Sequence, residues 1–218
     1  MSEANAPKEN VGILDRSFEA FCKHFFLPLV PQWTTPNQIT STGFVAGLIA
    51  AASLYAAGRD ARFYLAAVVG MFIYQICDTL DGTVARERNK RSTQGYFLDQ
   101  MVDVVVTILV YLSIGFSGRA HLGIVLVPAL LYPTHLVVVL HWINLKNRWP
   151  FPKIGPVEMY AILMALTLAM FFHSAPIANL LGQELTIFDC AGIAMIPFAL
   201  LETITTAVRL FKELAPSS

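Results

Sequence analysis

Asp78-Thr-Leu-Asp81-Gly82-Thr-Val-Ala85-Arg86, then eight residues to Gly95, three more to Asp99 and three more to Asp103, is the stretch that decides how this chain reads. Long apolar runs flank it on both sides. A carboxylate taken out of water without compensation is costly, and ionisable side chains at membrane depth mark functional sites. On a helix, Asp78 and Asp81 lie three apart and share a face, and Asp99 and Asp103 lie four apart and share another. Two such helices facing each other would gather four oxygen donors. A hard divalent cation such as Mg²⁺ takes that kind of shell, with phosphate oxygens completing it. The four acids therefore read as one metal site.

Apolar composition sets the class. The chain has 218 residues, of which 56% are hydrophobic and only 14% charged, and its mean hydropathy is +0.58. That is too apolar for an ordinary soluble domain, and its runs reach the roughly 20 residues needed to cross a bilayer. The expectation is an all-α integral membrane protein: residues 1–10 a polar tail, residues 11–218 one membrane domain. The tail lacks the apolar segment of a secretory signal. Cys22, Cys77 and Cys190 are odd in number and scattered, so they imply neither a disulfide framework nor a zinc cluster.

Outward from the motif, six spans are expected, at roughly residues 38–57, 63–84, 96–116, 122–145, 157–172 and 187–210. Ahead of them, Leu14, Phe18, Phe21 and Phe25 recur at helical intervals opposite Asp15, Arg16, Glu19 and Lys23. That pattern predicts an amphipathic helix in the membrane interface, or one packed onto neighbouring spans. Six spans leave both termini on one side. Lys8, Arg16, Lys23, Arg86, Arg88, Lys90, Arg91, Lys146, Arg148, Lys153, Arg209 and Lys212 share that side, against Arg59, Arg62 and Arg119 on the other. By the positive-inside rule the termini are cytoplasmic. Span two then descends and span three climbs back, so both Asp pairs lie near the cytoplasmic face, where a soluble nucleotide has access.

The spacing D-x2-D-G-x2-A-R-x8-G-x3-D-x3-D resembles the signature of the CDP-alcohol phosphotransferase family, with every fixed position matched. The resemblance implies transfer of a phosphate-linked group from a CDP-alcohol to a second alcohol, with release of CMP. It implies Asp78, Asp81, Asp99 and Asp103 as ligands of Mg²⁺ or Mn²⁺, two ions, since such a pair clamps both attacking and leaving oxygens. The general base of the family falls on Asp103. Gly82 and Ala85 would floor the nucleotide pocket, and Arg86, Ser92 and Gly95 match donor-side positions. Arg88, Lys90 and Arg91 read better as topology determinants. Pro36-Asn37-Gln38-Ile39-Thr40 is similar to the family's entry to its first span, so Asn37 and Thr40 are nucleotide-binding candidates, the other reading being helix caps. A homodimer is also implied.

His141-Trp142, followed by Glu158, is similar to the choline/ethanolamine phosphotransferase branch, and makes His141 and Glu158 candidates for acceptor-side or base-assisting roles. A helix-start Glu is otherwise a dipole match, and an interfacial Trp a belt anchor. His135 reads as a packing residue, and Glu202 has no assigned role. The expected activity is transfer of a head group from CDP-choline or CDP-ethanolamine to diacylglycerol. The alternative is a CDP-diacylglycerol-dependent phosphatidyltransferase acting on inositol, glycerol phosphate or serine. An intramembrane prenyltransferase leaves Gly82, Ala85, Arg86 and Gly95 unexplained. A cation transporter would place its acids near the midplane between repeats. A bacterial inner membrane or an endomembrane is the expected location, with no nucleic-acid partner.

Overall fold

The computed structural model describes residues 12–146, 150 and 155–215. The polar tail and Lys8, Arg148 and Lys153 lie outside the described residues. Among the described residues seven α-helices carry the architecture: α1 (Asp15–Phe25), α2 (Pro36–Ala56), α3 (Phe63–Glu87), α4 (Thr93–Phe116), α5 (Leu122–Lys146), α6 (Pro156–Phe172) and α7 (Ile187–Leu214). Five of them (α2, α3, α4, α5 and α7) are long and apolar enough to cross a membrane. The chain is a multi-pass integral membrane protein. At 17 residues, α6 is shorter and equally apolar, and runs only ~26 Å at ~1.5 Å per residue.

Local chemistry explains where the helices begin. Thr35 caps α2 in a reciprocal box: its hydroxyl accepts from the Gln38 amide at 3.3 Å, and the Gln38 side chain accepts from the Thr35 amide at 2.9 Å. Pro36 occupies the first turn, where its missing N–H costs nothing. Ser92 caps α4 by accepting from the Gly95 amide at 3.0 Å. Both helices therefore start earlier than the apolar pattern alone suggests, at Pro36 and Thr93. Likewise α3 continues past residue 84 to Glu87. It stops because Asn89 takes a left-handed conformation, φ 52°. There the Lys90 amide reaches the Ala85 carbonyl at 3.0 Å and the Asn89 amide reaches Arg86 at 3.4 Å. This is a Schellman closure, with Asn in place of the usual Gly.

Neighbouring helices pack in a fixed order. α2 lies against α3 and α4, α4 against α5, α5 against α7, and α3 against α6. In lipid the attraction between helices comes from close van der Waals fit, which small residues permit. The buried face of α2 includes Gly43, Ala46, Gly47, Ala50 and Ala51. Gly70 of α3 sits on it, and a Cβ there would meet Ala50 Cβ at 3.0 Å and the Ala46 carbonyl at 3.1 Å. There the two helix backbones come into near-contact.

Away from the motif, the chain adds a two-stranded antiparallel hairpin, Ala178–Leu180 paired with Gln183–Leu185. Its two-residue turn has positive φ at both Leu181 (52°) and Gly182 (82°), the geometry that matches strand twist. Leu-Gly lacks the Asn-Gly signature of such turns, so the sequence pattern carries no sign of it. Asn179 completes the turn by accepting from the Gly182 amide at 3.1 Å.

Gly70→Leu is expected to force α2 and α3 apart at a cost of about 1–3 kcal/mol. Thermal unfolding in detergent, followed by the loss of the monodisperse peak, would register it. An unchanged midpoint would mean the α2–α3 contact is not limiting.

Candidate active site

α3 ends and α4 begins around the same short turn, so the last turns of one helix face the first turns of the other. Carboxylate oxygens of Asp78 on α3 and of Asp99 and Asp103 on α4 come within 4.8 Å of one another. All three side chains are half-buried. Like charges this close repel strongly in a low-dielectric surrounding, and an all-oxygen donor set suits a hard divalent cation. The residues present therefore fit Mg²⁺ or Mn²⁺.

Asp81, the fourth acid expected at the site, stands outside this three-acid group. It is 5% exposed, and its Oδ2 accepts a hydrogen bond from Thr40 Oγ1 at 2.5 Å. Thr40 also lies 3.2 Å from the Pro36 carbonyl. Thr40 is thus not the cap of α2, a task Thr35 performs. It joins the start of α2 to the second Asp of the motif.

Two further groups orient the acids. Tyr74 donates to Asp103 Oδ1 at 2.5 Å, and Gln75 Nε2 donates to Asp78 Oδ2 at 3.3 Å. Gln100 Nε2 lies 3.4 Å from Asp99 Oδ2. The motif pattern singles out neither Tyr74 nor Gln75. The available signal was helical spacing, since Tyr74 precedes Asp78 by one turn on the same face.

Asn37, Ser92 and Gly95 do converge. A Cβ on Gly95 would lie 2.8 Å from Asn37 Oδ1 and 3.0 Å from Ser92 Oγ. A side chain there would displace both of these groups, so glycine allows the α2 and α4 N-termini their close approach. Gly82 presents open surface, the sole near neighbour of an added Cβ being Arg86 Nη1 at 3.3 Å. Ala85, one turn beyond Asp81 on α3, is half-buried.

The basic loop is more structural than its composition suggests. Arg86 pairs with Glu19 of α1 and also donates to Thr83 Oγ1 at 3.2 Å. Lys23 of α1 pairs with Glu87. Arg88 is not simply a topology charge: its guanidinium donates to the carbonyls of Val30 and Pro31, both at 2.8 Å, and lies 3.4 Å from that of Thr34. It clamps the segment between α1 and α2. Lys90 adds the Gln32 carbonyl at 3.4 Å. Beneath α1, Cys22 is fully buried with Ile39, Ile76, Cys77, Leu80 and Val84. Burial, and then the Glu19 charge, push its thiol up to about 11, so it packs as a neutral side chain.

His141 and Glu158 are not part of the three-acid group. Both oxygens of Glu158 accept backbone amides, Oε1 from Leu14 at 2.6 Å and Oε2 from Gly155 at 2.9 Å. It caps α6 and ties the start of α1 to that helix. His141 is exposed, and its Nδ1–H donates to the Val137 carbonyl at 2.7 Å. Trp142 is buried, not an interfacial anchor, and its indole donates to the Thr206 carbonyl of α7 at 3.1 Å. His135 packs as expected, with Nδ1 3.3 Å from Thr203 Oγ1.

The fold and the site define a membrane-embedded bundle in which acids from two consecutive helices, α3 and α4, converge. Its sequence matches the CDP-alcohol phosphatidyltransferase family model over residues 33–204. The chain belongs to that family. Among curated proteins it is similar to cholinephosphotransferase 1 of Gallus gallus, 28% identical over 180 residues covering 75% of this chain and 52% of that protein. Cholinephosphotransferase 1 of Homo sapiens is 33% identical over 105 residues, 45% of this chain and 25% of the relative. The inner membrane protein YnbA of Escherichia coli is 28% identical over 109 residues, half of each chain (50% and 54%). This chain thus spans a quarter to about half the length of these relatives.

Thr40→Val removes the hydroxyl that orients Asp81 while keeping the side-chain volume. It is expected to weaken Mg²⁺ or Mn²⁺ binding by about 10- to 100-fold, measured by titration of the purified protein. Affinity equal to that of the native chain would show that Asp81 needs no such partner.

Proposed function

We propose that this chain transfers a phospho-alcohol head group from CDP-choline or CDP-ethanolamine to diacylglycerol, releasing CMP. The observation that carries the reading is the convergence of Asp78, Asp99 and Asp103 inside a matched family motif. The relatives named cholinephosphotransferase support this branch. In this reading Asp78, Asp99 and Asp103, with Asp81 as a fourth ligand, hold one or two divalent cations. Bound cations would neutralise the pyrophosphate and favour in-line attack at its phosphorus.

Every other task falls to the chain itself. Asp103 takes the proton of the incoming diacylglycerol hydroxyl as its oxygen forms a bond to the phosphorus bearing the head group. The bond from that phosphorus to the oxygen of CMP breaks, and CMP leaves with the electron pair. Gly82 and Ala85 leave the surface of α3 shallow for the nucleotide. Arg86, held by Glu19 and Thr83, offers positive charge to the donor. Asn37, Ser92 and Gly95 border the donor where α2 and α4 meet. His141, with Nδ1–H engaged by Val137, keeps Nε2 free to accept from an acceptor-side group. Glu158 acts on the site only through the caps it makes.

Six crossings complete the reading, with α6 as the shortest; a short span is accommodated by local thinning of the bilayer. Both termini and the acid cluster then face the cytoplasm, as the distribution of Lys and Arg favours. α1 lies in the interface, with Phe21 and Phe25 exposed on its apolar side. Self-association into a homodimer belongs to the reading on the family resemblance alone.

The test is head-group transfer by purified protein in liposomes with Mg²⁺. Radiolabelled CDP-choline and CDP-ethanolamine with diacylglycerol would be compared with CDP-diacylglycerol and a panel of polar alcohols. Label is expected to enter lipid from the soluble CDP-alcohol, to vanish with EDTA, and to fall at least about 100-fold in Asp103→Asn. Transfer from CDP-diacylglycerol alone would reverse the assignment of donor and acceptor.

A further inference from the structure

Behind the acid cluster lies a group of hydroxyls that the proposed transfer step does not itself use. Tyr74 is 2% exposed and stands on α3 one turn before Asp78, on the face the acids occupy. Its hydroxyl donates across to Asp103 Oδ1 on α4 at 2.5 Å. Tyr160 of α6 packs against its ring, with centroids 5.1 Å apart. The Tyr160 hydroxyl in turn lies 3.3 Å from Thr107 Oγ1, one turn beyond Asp103 on α4. Three helices thus meet in one buried polar chain that ends on a single carboxylate oxygen.

We infer that Tyr74 is a positioning residue: by holding Asp103 Oδ1 it fixes the carboxylate plane, so that the acid faces the incoming hydroxyl in one orientation. The inference rests on the transfer reading above and adds a residue to it. An aspartate rotates readily about its terminal torsion, which is broad and roughly two-fold. A proton acceptor needs its lone pair aimed at the proton within hydrogen-bond reach. One strong donor at Oδ1 restricts that rotation. The arrangement also explains a tyrosine in the interior: a phenylalanine would fill the same space, whereas the hydroxyl needs a partner there. Tyr160 acts one step further out: its hydroxyl, 3.3 Å from Thr107 Oγ1, anchors the ring that backs Tyr74.

The experiment compares Tyr74→Phe with Tyr160→Phe and the native chain, full length in liposomes with Mg²⁺. Tyr74→Phe is expected to lower kcat by about 10- to 100-fold, with KM for the CDP-linked donor within about twofold of native and Mn²⁺ affinity falling by a much smaller factor than kcat. Tyr160→Phe should lower kcat in the same sense by a smaller factor. A readout independent of turnover accompanies these. The infrared carboxylate band of Asp103, identified by its loss in Asp103→Asn, should shift in Tyr74→Phe. An unshifted band, an unchanged kcat, or a fall in Mn²⁺ affinity matching the fall in kcat would each overturn the inference. If Tyr74→Phe fails to fold, Tyr160→Phe decides by the same measurements. If the native chain releases no CMP from any donor, the transfer reading falls, while the infrared band still tests whether Tyr74 governs Asp103.

Discussion

Crowding three carboxylates within 4.8 Å inside an apolar bundle is the constraint on which the rest of the structure turns. Such a cluster opposes folding unless every acid is either partnered or supplied with external positive charge. The surrounding helices meet that demand from three sides. α2 brings Thr40 to Asp81, α3 brings Tyr74 and Gln75 to Asp103 and Asp78, and α6 brings Tyr160 behind Tyr74. Small residues along α2 are what allow so close a gathering. Packing and chemistry are here one arrangement, because beside the Thr40–Asp81 bond Gly43 of α2 lies so close to Cys77 of α3 that an added Cβ would meet it at 2.9 Å.

The N-terminal segment belongs to the site as much as the spans do. α1 is held by two ion pairs to the end of α3, by Cys22 buried against α3, and by the Leu14 amide just ahead of it on Glu158 of α6. Arg88 then fixes the carbonyls of the connection into α2. Exposed ion pairs are individually weak, so the buried apolar contacts supply most of the docking, and the charges set its register. Through Glu19, that docking also decides where Arg86 points.

Much of this was legible in the sequence. The apolar runs marked the helices, and the motif marked the acids, because both signals are local and periodic. Boundaries shifted where a cap outweighed hydrophobicity, as at Thr35 and Ser92, or where Asn89 closed α3 in a left-handed turn. The hairpin at 178–185 had no composition cue, since Leu181 takes a backbone conformation that leucine rarely adopts.

By itself, then, the sequence determined the class of protein, the helices and the identity of the acids, all of which follow from composition and spacing along one chain. Tertiary structure decided which acids meet. It set Thr40 against Asp81, turned Arg88 from a charge marker into a clamp, and made Glu158 a double cap. It buried Trp142 between α5 and α7 and brought Tyr74 to Asp103. Most of those contacts join segments distant in sequence. Their outcome depends on how closely two backbones can approach, a property of paired surfaces that no single segment contains.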